Sequence, residues 1–268
     1  MTETGAQRIA AAFAAARGRA ALMPYLMGGF PDIERSVAIG IAYAEAGADL
    51  VELGVPFSDP LADGPVIHAA GTQALAAGAT VHAVVEAGAR IAEHVPVVLM
   101  CYANPLLARG PERFCGELAA RGISGLIVPD LPLAESEAML AACDAAGLAL
   151  VPLVAPTSSD DRLAAIGRKA RGFIYTVSVV GTTGERGGVT DGAAGLLARV
   201  KAHSPVPVAL GFGISTAEQA AAAAAAGADG VIVGSRLVRA VAEAAGDGRD
   251  PAAQAGTVVA ELAAALVR

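Results

Sequence analysis

Ala44-Glu45-Ala46-Gly47-Ala48-Asp49-Leu50-Val51 holds the key to the fold. An Ala-rich run of helical composition stops at a glycine, and an apolar, strand-like run begins at once. The same hand-over returns at Ala224-Ala225-Ala226-Gly227-Ala228-Asp229-Gly230-Val231, and more loosely at Ala119-Ala120-Arg121-Gly122-Ile123-Ser124-Gly125-Leu126. Glycine suits the junction because helices commonly close on a left-handed residue, where a Cβ is penalised. Working outward, short apolar runs near residues 21–27, 48–54, 96–102, 124–129, 148–154, 172–177, 207–212 and 230–234 read as strands, each followed by a stretch of helical length. They are continuous runs rather than alternations, as parallel strands covered on both faces require. Eight such units in about 250 residues is the arithmetic of a closed α/β barrel, a (βα)8 TIM barrel. Residues 5–17 predict an extra N-terminal helix and 250–267 an extra C-terminal one. Asp32 and Ser158 are expected N-caps, and Ser215 with Glu218 has capping-box spacing. No linker interrupts the pattern, so one barrel domain over residues 1–268 is expected.

Composition narrows the function. Hydrophobic residues make up 54% and charged residues 17%, enough for a large core, while aromatics are only 4% and Trp is absent, so aliphatic side chains must build it. A net charge of −7 argues against nucleic acid, whose partners carry a basic face. No apolar run reaches the length of a membrane span, and Met1–Gln7 lacks the start of a secretory signal. Cys101, Cys115 and Cys143 show neither metal-ligand spacing nor a disulfide framework, which suits a reducing cytoplasm. No metal site is expected.

Chemistry in a parallel barrel sits at the carboxyl ends of the strands. Glu52 closes the second strand run, and Asp63 lies in the Pro- and Gly-rich loop that follows. A carboxylate at the end of a buried strand is partly desolvated, which raises its pKa and lets it donate and accept protons near neutrality. Two carboxylates in different surroundings commonly divide acid and base roles. The structural alternatives are a rim ion pair for Glu52 and ordinary Asp-Gly turn chemistry for Asp63. Tyr102 and Asn104 follow strand three, Tyr175 lies near the end of strand six, and Asp130, between two prolines, reads as a loop-shaping residue.

A second constellation is glycine-rich. Gly211-Phe212-Gly213-Ile214-Ser215 ends strand seven, and Gly234-Ser235 ends strand eight and opens a helix at Arg236. Backbone amides at such places bind anions, and loops seven and eight are where many barrels hold phosphate. The alternative is that these glycines only make tight turns. The segment 180–191, with Gly181, Gly184, Gly187 and Gly188, is a lid candidate. His68, His82, His94 and His203 are scattered without metal spacing, and read as surface or satisfied core residues.

The run Glu52-Leu53-Gly54-Val55-Pro56-Phe57-Ser58-Asp59-Pro60-Leu61-Ala62-Asp63-Gly64-Pro65 resembles the signature of the tryptophan synthase α subunit family. The resemblance continues through Leu99-Met100-Cys101-Tyr102-Ala103-Asn104-Pro105, Pro129-Asp130-Leu131-Pro132, Thr182-Thr183-Gly184, Gly211-Phe212-Gly213-Ile214 and Gly234-Ser235. It implies a lyase that splits indole-3-glycerol phosphate into indole and glyceraldehyde 3-phosphate. By resemblance, Glu52 is the acid–base group, Asp63 accepts the indole N–H, and Tyr175 stands beside Glu52. Gly184, Gly213, Gly234 and Ser235 match the phosphate cradle, and Thr183 the lid residue that meets Asp63. Tyr25, Met100, Ile127, Leu153, Phe212 and Ile232 would wall the indole pocket. Tyr25, Pro129, Val179 and Val180 depart from common family residues. The resemblance implies no cofactor in this chain and a pyridoxal-phosphate β subunit as partner in an αββα assembly, met at Pro56, Asp59, Asn104 and Pro132. Intact Glu52 and Asp63 favour a competent catalyst over a module that only activates its partner.

Overall fold

The first strand, β1 (Ala21–Met27), is buried at every position, with no polar face to show to water. Only a sheet covered on both sides accommodates it. In the computed structural model, which describes residues 3–16, 18–177, 190–211 and 213–266, that cover is a ring of helices outside and a packed barrel interior inside. The chain runs α1 (Gly5–Ala15), β1, α2 (Ile33–Glu45), β2 (Val51–Gly54), α3 (Pro65–Ala76), α4 (Val81–Ala92), β3 (Val97–Met100), α5 (Ala103–Leu107), α6 (Pro111–Ala120) and β4 (Gly125–Ile127). It continues through a 3-10 turn (Leu133–Glu135), α7 (Glu137–Ala146), β5 (Ala149–Val151), β6 (Leu153–Val154), α8 (Asp160–Lys169), β7 (Ile174–Val177) and α9 (Thr190–His203). It ends with β8 (Val208–Gly211), α10 (Ala217–Ala225), β9 (Gly230–Val233), α11 (Ser235–Gly246) and α12 (Pro251–Leu266). The expected terminal helices are α1 and α12.

All strand pairs are parallel, in the order β5-β4-β3-β2-β1-β9-β8-β7-β6. The fifth expected strand is divided. Pro152 has no N–H for the ladder, so Ala149–Val151 pairs with β4 while Leu153 and Val154 pair with β7. The chain passes through Pro152 from one end of the sheet to the other, and the barrel closes there.

The recurrent Gly-Ala-Asp motif has a common geometry. Gly47 and Gly227 both take φ +101°, the left-handed conformation that stops α2 and α10. Asp49 N–H then donates to Leu22 O at 2.9 Å, and Asp229 N–H to Val208 O at 2.8 Å. Each carboxylate returns the contact, accepting from Leu22 N–H at 2.8 Å and from Val208 N–H at 2.9 Å. A cation completes each unit: Arg19 is bidentate on Asp49, and Lys201 meets Asp229 at 2.7 Å. The looser copy keeps the backbone bond, Ser124 N–H to Val97 O at 2.8 Å, but the serine side chain is too short to return it, and its buried Oγ has no partner among the described residues.

Helix starts follow capping chemistry. Asp32 accepts from Arg35 N–H at 2.8 Å, as expected. Two caps lie one residue beyond the expected place. Ser159, not Ser158, accepts from Arg162 N–H. Thr216 with Gln219, not Ser215 with Glu218, forms the capping box, because Gln219 Oε1 reaches back to the Ser215 and Thr216 amides. Below the barrel, α1 acts as a plug: Ile9 and Phe13 enter the interior cluster beside Phe173. Arg8 clips the plug in place by donating to Gly122 O and Ala92 O at 2.6 and 2.7 Å.

Candidate active site

The carboxyl ends of the strands open on a cavity of about 510 Å³. Glu52 lies in its wall, in β2, in register with Tyr25 of β1 and Val98 of β3. The residue is 3% exposed, and its Oε1 has no hydrogen-bond partner among the described residues. A structural buried carboxylate is normally paired, so the rim ion pair considered from sequence is not what Glu52 makes. Burial first, and the charge of Asp63 second, push its carboxyl from the ordinary range up to about 8.

Two tyrosines flank it. A Cβ on Gly54 would collide with the Tyr25 hydroxyl, and one on Gly211 would lie 2.6 Å from that of Tyr175. The glycines at these strand ends thus make room for both rings. Burial raises both phenols well above their usual value, and the nearby Glu52 adds to this.

Asp63 stands across the cavity, half-buried. Tyr102 Oη donates to its Oδ1 at 2.9 Å, and accepts from Ala62 N–H at 3.0 Å. Burial raises the Asp63 carboxyl above its ordinary value, opposed by the Tyr102 bond and by His68. Asp130 has the loop-shaping role expected of it, accepting from Ala103 N–H at 2.8 Å at the start of α5.

The cavity also gathers Met100, Leu153, Ile232, Gly213, Gly234 and Ser235. Ile127 is not in its lining. It is fully buried in the interior cluster, in register with Met100, which does line the cavity and packs against the same cluster. Thr183, Gly184 and Phe212, with the lid candidate as far as Val189, lie outside the described residues. Asp59, Asn104 and Pro132 are exposed on the rim, whereas Pro56 is buried below it. Sequence reasoning did not single out Tyr102 as the partner of Asp63, nor Arg239 as a lining residue. A tyrosine at the end of the adjacent strand was the only sequence signal for the first.

The family model described as tryptophan synthase alpha chain matches residues 12–267. The chain belongs to the tryptophan synthase alpha chain family. It is 50% identical over 247 residues to the tryptophan synthase alpha chain of Synechococcus sp. (strain CC9902), covering 91% of each chain. Among solved structures, it is similar to Mycobacterium tuberculosis tryptophan synthase, with a TM-score of 0.89 at 41% identity over 97% of this chain and 98% of the other. It is also similar to the alpha subunit from Legionella pneumophila str. Paris, with a TM-score of 0.88 at 32% identity over 99% of each. By family, the chain is a carbon–carbon lyase of tryptophan biosynthesis that cleaves indole-3-glycerol phosphate to indole and glyceraldehyde 3-phosphate. It needs no cofactor of its own. Pyridoxal phosphate belongs to the family's β subunit, the partner to which indole passes.

Proposed function

We propose that Glu52 is the acid–base catalyst of this cleavage and Asp63 its electrostatic partner. The observation that carries the reading is the buried Oε1 of Glu52, without a partner among the described residues, in a cavity shared with Asp63. For the bond between indole C3 and the glycerol carbon to break, C3 must first gain a proton and become tetrahedral. The ring nitrogen then carries positive charge, and its N–H is an acidic donor. Asp63 accepts that hydrogen bond and stabilises the cation. Glu52, protonated near neutrality, delivers a proton toward C3 and then takes the hydroxyl proton of the adjacent glycerol carbon. As that C–O bond becomes C=O, the electrons of the breaking C–C bond return to the indole ring. Aldehyde and indole leave, and the proton balance closes on Glu52. Tyr175 lines the same cavity, close enough to Glu52 to feel its charge, and would stand beside it during the reaction.

In the same reading, Gly213, Gly234 and Ser235, with Gly184, hold the phosphate through backbone amides. Thr183 meets Asp63, and Tyr25, Met100, Leu153, Phe212 and Ile232 hold the indole, with Ile127 supporting them from the interior cluster. The span 1–268 works as one barrel domain, in the cytoplasm, in keeping with its three free thiols. No helix among the described residues is long and apolar enough to cross a membrane.

The β subunit would dock on the rim presenting Asp59, Asn104 and Pro132, over the buried Pro56, in an αββα assembly. Leu61, 87% exposed in the loop after β2, and Leu107, 57% exposed at the end of α5, support that surface. Indole release by Glu52→Gln and Asp63→Asn variants, with and without β subunit, tests the assignment. Near-normal turnover by either folded variant would remove its role.

A further inference from the structure

We infer that Arg236 and Arg239 form a cationic rim that captures the substrate phosphate, in addition to the backbone cradle; this rests on the phosphate lying at Gly213, Gly234 and Ser235. Helix α11 starts at Ser235 with Gly234 as its N-cap. Residues three apart share a helix face, and helical side chains lean toward the N-terminus. Both arginines therefore project back over the amides that open the helix. Both line the cavity that also holds Glu52, Gly213 and Ser235.

The placement is electrostatically costly without an anion. The first turns of a helix carry the positive end of its dipole and disfavour cations. α11 has no acidic residue in its first turn to offset this. Among the described residues, neither Arg236 nor Arg239 makes an ion pair or a side-chain hydrogen bond. Arg19, Arg90, Arg121, Arg171, Arg199 and Arg249 each face a carboxylate; Arg113, Arg162 and Arg168 also make no ion pair among the described residues, but none of them lines this cavity. The two free guanidiniums stand where a phosphate dianion would meet both their charge and the helix amides. A guanidinium also matches phosphate geometry with paired donors. The chain as a whole carries a net charge of −7, and Asp63 faces the same cavity, so a phosphorylated substrate approaches against repulsion. A local cation pair at the mouth reverses that field where the substrate enters.

The test uses the full-length chain in complex with its β subunit, as Arg236→Gln, Arg239→Gln and the double variant. Indole release is followed against indole-3-glycerol phosphate concentration at several ionic strengths, with inhibition by inorganic phosphate measured alongside. Each single variant should raise KM by about 10-fold, the double variant more, with a smaller fall in kcat. Phosphate inhibition should weaken in step, the salt dependence of kcat/KM should flatten, and Arg239→Lys should recover part of the loss. Indole, which has no phosphate, should bind the variants as it binds the parent chain. A parental KM and salt slope in the double variant overturns the inference, as does a loss confined to kcat. Gly234→Asp separates it from the cradle. Normal affinity there overturns the cradle and, with it, the inference. Lost affinity there beside a parental double-arginine variant overturns the arginine role alone.

Discussion

Tyr102 Oη donates to Asp63 Oδ1 at 2.9 Å while accepting from Ala62 N–H at 3.0 Å, so one phenol fixes both the carboxylate and the loop that carries it. The ring is itself held, stacked on Phe57 with centroids 5.3 Å apart. Asp63 sits in a loop of Pro and Gly residues that has no ladder to orient it. Its aim across the cavity toward Glu52 therefore depends on the end of the neighbouring strand.

Tyr102→Phe keeps the ring stack and removes the donor. We expect indole formation to fall about 10-fold, from the loss of a hydrogen bond to a charged group and of the loop's anchor. Steady-state cleavage kinetics check this. Parental kcat and KM would show that Asp63 needs no such support.

Glu52 makes stability depend on pH. Its folded value is raised to about 8 from 4.5. The folded chain thus holds a proton that the unfolded chain releases, and stability falls as pH rises from 4.5 to 8. Asp63, also raised, acts in the same direction. Glu52→Gln should escape most of this loss and gain on the parent over that window by roughly 3–5 kcal/mol at most. Denaturant midpoints at pH 5 and pH 8 measure it. An equal pH dependence in both chains would show that Glu52 is not buried as described. In Asp63→Asn, loss of the neighbouring charge should lower the Glu52 pKa, readable by carboxyl NMR.

Asp49→Ala should destabilise the barrel by about 2–4 kcal/mol, because it leaves both Arg19 and the Leu22 N–H without their acceptor. Asp49→Asn, which keeps an acceptor for Leu22, should cost less. Urea denaturation ranks the two. The reverse order would contradict the reciprocal strand bond.

Leu61→Asp and Leu107→Asp change exposed side chains and should shift stability by only about 0.5 kcal/mol. Both should weaken β-subunit binding severalfold or more, because a charge would enter the centre of an apolar contact. Titration of the β subunit against each variant reports it. Unchanged affinity would move the docking surface elsewhere.

The strands were legible because they are continuous apolar runs, broken by a charge only at Glu52, and the hand-overs because Gly47 and Gly227 end helices in a conformation that other residues resist. The division at Pro152 was less visible. A proline in an apolar run can mean an edge, a bulge or a seam, and only the pairing of Val151 and Leu153 with different strands decides. The shift of the α10 cap from Ser215 to Thr216 reflects competition between neighbouring hydroxyls, settled by where Gln219 reaches. Glu52 was readable as a carboxylate in a buried strand, although it stands second in β2 rather than at its end. Its lack of a partner was not, since that depends on every strand around it. The same holds for Tyr102, which reaches Asp63 from the segment after another strand, and for Ile127, whose burial in the interior cluster no linear pattern encodes. Arg239 lies several residues along a helix, so its approach to the cavity becomes visible only when the helix start at Ser235 is fixed.

The most direct test is the rate of indole formation by Glu52→Gln, saturated with indole-3-glycerol phosphate in the presence of β subunit. Glutamine fills the same buried space and can move no proton. The expected result is a fall of about 10²–10⁴-fold in kcat, with the fold and β-subunit binding retained. A folded Glu52→Gln chain that forms indole within a few-fold of the parental rate would contradict it.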